Sequence, residues 1–113
     1  MFEKNLAISD LLDEYAPVLS ERHRLLLDYY YNQDLSLSEI AAEIGISRQG
    51  VRDGIKKAED EVLFMEQCLH LRKKTNDMRA VAEALLADAD ENTARAVQTL
   101  LRAAGIEPEG EGA

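Results

Sequence analysis

Apolar side chains recur along this chain at intervals of three and four residues, and no strand pattern stands out. That period puts them on one face of a helix, so the sequence predicts an all-α fold. Ile8, Leu11, Leu12 and Tyr15 mark a first helix over about residues 4–16. Pro17 closes it, because proline disfavours helical geometry in the residue before it. Ser20 suits the N-cap of a second helix with Leu25, Leu26, Tyr29 and Tyr30 inward. Asn32, Gln33 and Asp34 read as a polar turn. The run Tyr29-Tyr30-Tyr31 offers rings on which bases could stack, but at least two of the three are expected at the core or its edge.

Ser36-Leu37-Ser38-Glu39 has the form of a capping box, in which serine and glutamate each satisfy an amide at the helix start. A short helix follows with Leu37, Ile40, Ala41 and Ile44 inward, and Gly45 suits the left-handed residue that ends it. Ser47 is a second N-cap, and Ile46 and Val51 are spaced for a hydrophobic staple. The helix after Ser47 meets few stop signals until about Lys74, although Gly50 and Gly54 each weaken it by up to ~1 kcal/mol relative to alanine. A break or cap is expected at Thr75-Asn76-Asp77. Met78, Val81, Ala82, Leu85 and Leu86 then form another amphipathic helix, with a corner at residues 88–92. Ala94, Val97, Leu100, Leu101 and Ala104 form the last, ended by Gly105. The expected organisation is a helix-turn-helix domain with a long fourth helix over 1–74 and a C-terminal helical extension over 75–106. The tail, 107–113, has almost nothing to bury and is expected to be disordered.

The pattern from Leu37 to Val51 is what a helix-turn-helix requires. Ala41 is small enough for the second helix to approach, and Gly45 makes the corner four residues later. Ile40, Ile46, Val51 and Ile55 fill the space between the helices, and the helix opened by Ser47 is presented outward for a major groove. Arg48, Gln49 and Arg52 are the candidate base readers, since arginine pairs with guanine edges and glutamine with adenine edges. Ser47, Lys56 and Lys57 are better placed for phosphates.

Charge complicates this reading. The net charge is −9, which counts against nucleic acid if spread evenly. It is not even: Arg48, Arg52, Lys56 and Lys57 face only Asp53, while acid gathers in the first thirty residues and from Glu83 onward. A second basic cluster, Arg72, Lys73, Lys74 and Arg79, contains only Asp77 and reads as solvated helix surface. Enzyme chemistry finds no support. His23 and His70 are not in a metal-ligand spacing, no phosphate loop or nucleophile elbow is present, and no cofactor is implied. The single cysteine, Cys68, rules out an internal disulfide and is expected as a buried free thiol. No apolar run is long enough to cross a bilayer, and the start lacks signal-peptide form, so a cytoplasmic protein is expected.

Residues 29–32, 34–41, 45–51, 53 and 55–56 together resemble the YlxM-like family of bacterial helix-turn-helix proteins. The string from Ser47 to Lys56, Ser-Arg-Gln-small-Val-x-Asp-x-Ile-Lys, is the most specific part. The resemblance covers about residues 6–74. The same block is similar, more distantly, to region four of sigma factors, which binds promoter DNA. The family tends to be encoded beside signal-recognition-particle genes, which implies a regulatory role in that pathway. This chain departs from the family's pattern at Arg52, where an aromatic residue is frequent, and in its longer acidic C-terminal segment.

Val51, Ile55, Ala58, Val62, Met65 and Leu69 form a heptad seam, while Leu63, Phe64, Cys68 and Leu71 add a second apolar face. One face can pack on the N-terminal helices. The other needs cover from the C-terminal helices or from a second copy, and a homodimer is expected because such proteins commonly read two half-sites as pairs. Two functions fit the sequence, beside a purely structural dimerising module. One is a nucleic-acid-binding regulator whose partner is DNA. The other is an adaptor that modulates signal-recognition-particle protein or RNA without reading DNA sequence.

Overall fold

A computed structural model of the chain describes residues 3–106, so the expected disordered tail lies outside the described residues. Among those residues the fold is all-α: α1 (Leu6–Tyr15), α2 (Glu21–Leu27), α3 (Leu37–Ile44), α4 (Arg48–Leu69), α5 (Leu71–Ala87) and α6 (Glu91–Ala103). Two compact units divide between His70 and Leu71.

In the first unit α4 is the spine, and α1, α2 and α3 all pack on it. Val51, Ile55, Ala58 and Val62 repeat at four, three and four residues along α4 and are fully buried. Ile8, Leu12 and Tyr15 from α1, Leu26 and Leu27 from α2, and Ile40 from α3 close over them. The expected heptad seam is therefore spent on the chain's own helices as far as Met65, while its last member, Leu69, lies 49% exposed. Pro17 lies in a short 3-10 turn, Ala16–Val18, which ends α1 as its sequence implied. Ser20 caps α2, its Oγ accepting the His23 amide at 3.2 Å.

Helix α2 is rotated from the sequence expectation. Leu26, Leu27 and Tyr30 face the core, and Leu25 lies 36% exposed. Three consecutive leucines leave the helix rotation open, because the 26, 27, 30 set is as helical as the 25, 26, 29, 30 set. The helix also widens into a π turn over Asp28–Asn32 before the polar turn, at whose end Asp34 has φ 57°.

The long helix stops earlier than its composition suggested. His70 takes the left-handed conformation (φ 54°) with its amide bonded to the Glu66 carbonyl at 2.8 Å. The break expected at Thr75-Asn76-Asp77 is absent, since these residues lie inside α5. Leu71, Thr75, Met78 and Ala82 keep a helical stripe running through them, and polar side chains on the exposed faces do not interrupt it. Cys68, expected buried, is exposed. Its position in α4 turns away from the face that Val62 and Ala58 bury.

The second unit is a helical hairpin. Asp90 caps α6 by accepting the Thr93 amide at 2.7 Å. Its small core is Ala82, Val97, Leu101 and Ile106, with Leu86 against them.

Candidate nucleic-acid interface

The geometry of the α3–α4 corner follows from four residues. Ser36 Oγ accepts the Glu39 amide at 3.1 Å, and Glu39 Oε1 accepts the Ser36 amide at 2.9 Å, which starts α3 sharply. These amide and hydroxyl contacts favour the carboxylate, so Glu39 ionises below the usual range. Ala41, 9% exposed, lets α4 come close. Gly45 ends α3 at φ 84°, ψ 35°, and its amide and that of Ile46 both reach the Ala41 carbonyl, at 2.8 and 3.2 Å. Ser47 then opens α4, its Oγ accepting the Gly50 amide at 2.9 Å. Ile46 is half-buried against the core beside fully buried Val51, as a staple requires.

With Val51 and Ile55 turned inward, the opposite side of the first turns of α4 faces solvent. Ser47, Arg48, Gln49, Arg52, Lys56 and Lys57 are all exposed. Residues four apart share a helix face, so Arg48, Arg52 and Lys56 form one row and Gln49, Asp53 and Lys57 the next. The second row carries an internal bond: Gln49 Nε2 donates to Asp53 Oδ1 at 2.9 Å. The positive end of the α4 dipole adds to the side-chain cations at the Ser47 end. This cationic stretch stops at Lys57. Glu59 is buried, Asp60 is exposed, and Glu61 accepts from His23 at 3.3 Å.

Two features of this scaffold escaped the sequence. Gly54 sits where α2 crosses α4, and a Cβ placed there would lie 2.6 Å from Leu26 Cδ1. The glycine that looked like a weakness of the helix thus leaves room for the end of the Leu26 side chain. Glu59 is the other, the one polar residue buried among the described residues; it accepts a hydrogen bond from the Tyr31 hydroxyl. A charged residue between Ile55 and Val62 on the inward stripe was the available signal. Among the tyrosines expected at the core edge, Tyr30 is buried and Tyr29 and Tyr31 pack against the core.

Among the described residues no cluster of histidine, cysteine, aspartate or glutamate is placed to hold a metal ion, and no helix is long and apolar enough to cross a membrane.

Two helices joined at a left-handed glycine, the second projecting its opening turns into solvent, define a helix-turn-helix protein. A family profile described as helix-turn-helix protein, YlxM / p13 like, matches residues 2–101. The chain belongs to that family, as the residues from Tyr29 to Lys56 implied. Among relatives, a UPF0122 protein of Shouchella clausii is 38% identical over 102 residues, covering 89% of this chain and 94% of its own. One from Clostridium kluyveri is 42% identical over 76 residues, covering 67% and 68%. A third, from Lactiplantibacillus plantarum, is 44% identical over 69 residues, covering 61% and 60%.

Proposed function

We propose that this protein is a cytoplasmic nucleic-acid-binding regulator, acting as a homodimer, whose α4 enters the DNA major groove. The observation that carries this reading is the pair of exposed rows on the first turns of α4, held outward by Gly45 and by buried Val51 and Ile55. Arg48 and Arg52 reach base edges, with Gln49 beside them. Ser47, Lys56 and Lys57 contact phosphates. A polyanion releases counterions on binding, so affinity falls steeply with salt. The test is selection of DNA fragments by the protein, followed by titration of the selected sequence. Arg48→Ala with Arg52→Ala is expected to remove selectivity. Unchanged selection by that variant refutes the base-reading role.

A second reading is favoured by the net charge of −9 and by exposed Glu39 and Glu43 on α3, beside the proposed interface. Here the protein is an adaptor that modulates signal-recognition-particle protein or RNA, the role that the resemblance implies. Purified particle components retained on the immobilised protein, with no DNA fragment selected, would favour the adaptor over the regulator.

A further inference from the structure

The α5–α6 hairpin leaves open an apolar groove of about 330 Å³. Its walls include Met78 (46% exposed), Val81 (61%), Leu85 (54%) and Leu100 (68%). A contiguous patch of this kind marks an interaction surface. The hairpin's own core is small, and units of about 40 residues are marginal without a disulfide, a metal or a partner. This chain has one cysteine, no metal cluster occurs among the described residues, and the hairpin buries only a handful of apolar side chains.

We propose that the groove is covered by the same groove of a second copy, with the two α5 helices antiparallel about a two-fold axis at Val81. Deepening the homodimer reading above, this assigns the pairing surface and does not depend on DNA binding. Charge complementarity selects the occupant. The beginning of α5 is basic, with Arg72, Lys73, Lys74 and Arg79 against Asp77, and its end and the following corner are acidic, with Glu83, Asp88, Asp90 and Glu91. A two-fold operation sets each basic end beside the partner's acidic end, whereas parallel pairing would set like beside like. Val81 lies midway between Lys74 and Asp88, both exposed, so each lysine meets the other copy's aspartate. The aliphatic contact is self-complementary for the same reason, and four helices then enclose one core. Two such patches bury on the order of 800 Å² in total. That is below the standard size for specific pairs and fits a weak, transient dimer, so pairing is expected only towards the upper end of the micromolar range.

The experiment measures the mass of the full chain by sedimentation across micromolar concentrations, with helix content checked by circular dichroism. Val81→Lys is expected to give a folded monomer. Lys74→Asp or Asp88→Lys alone should weaken pairing about tenfold, and the two together should restore it. In a Cys68→Ser background, Val81→Cys should be joined to its counterpart by oxidised glutathione, as residues on the axis must be. A dimer indifferent to all of these variants overturns this surface while leaving the homodimer reading intact. A monomer at every concentration overturns both.

Discussion

The hydroxyl of Tyr31 donates to the carboxylate of Glu59 and accepts the backbone amide of Asn5 at 2.9 Å, so one side chain ties the start of α1 to the middle of α4. Glu59 is only 7% exposed, and a carboxylate there requires such a partner. Burial, then the bond to Glu59, pushes the Tyr31 phenol well above its ordinary value. Tyr31→Phe is expected to cost about 2 kcal/mol in urea unfolding, because it leaves the carboxylate unpaired.

The same linkage gives a pH dependence. A phenol whose pKa is raised on folding stabilises the native state fully below the unfolded value of about 10, and that contribution fades as pH rises from there through the folded value. Stability of the natural chain should fall above about pH 10 more than that of Tyr31→Phe. Absorbance of the phenolates should show Tyr31 ionising late; ionisation at the ordinary pH would contradict the bond.

Gly54→Ala sets two effects against each other. Alanine favours the helix by about 1 kcal/mol. Its methyl would meet Leu26 at 2.6 Å, and Leu26 is itself 1% exposed, with little room to yield. Overpacking costs about 1–3 kcal/mol, so the expected net effect is a loss of about 1 kcal/mol. A rise in melting temperature would show that α2 moves aside more easily than its burial suggests.

At Gly45 the obstacle is backbone geometry alone, since nothing lies within 4 Å of a Cβ built there. The φ of 84° is the left-handed region that L side chains avoid. Gly45→Ala should therefore cost about 1–2 kcal/mol, and Gly45→Asn less. Equal losses for the two would mean that contact, not conformation, decides this position.

Removing the cap tests the start of α3. Ser36→Ala is expected to cost about 1 kcal/mol. It should also return the Glu39 carboxyl part of the way towards the usual range, the amide at position 36 still donating to it, as read by a carboxyl NMR titration. Because Glu39 ionises more readily when folded, its stabilisation holds above the unfolded pKa and is lost as pH falls through the folded one. The acid limb of the stability curve should flatten in Ser36→Ala.

For the proposed interface, Lys56→Ala should weaken DNA binding uniformly across sequences and reduce the salt slope by about 1. A change in sequence preference instead would move Lys56 from the phosphates to the bases.

The local sequence determined much of this protein. Caps, corners and stripes depend on neighbours within one or two turns, so Ser20, the Ser36–Glu39 box, Gly45 and Ser47 were all legible, as was the 51, 55, 58, 62 seam on α4. Exposure of the six candidate contact residues followed from that seam, because whatever faces away from it must face solvent. Tertiary structure decided what neighbours cannot. Which of Leu25, Leu26 and Leu27 turned inward depended on where α2 met α4, and the same crossing brought Leu26 within 2.6 Å of where a Cβ at Gly54 would stand. The turn at His70 and the pairing of Glu59 with Tyr31 were equally hidden. A left-handed histidine carries no glycine or proline to announce it, and a carboxylate can enter a core only once folding brings a hydroxyl to it from another helix.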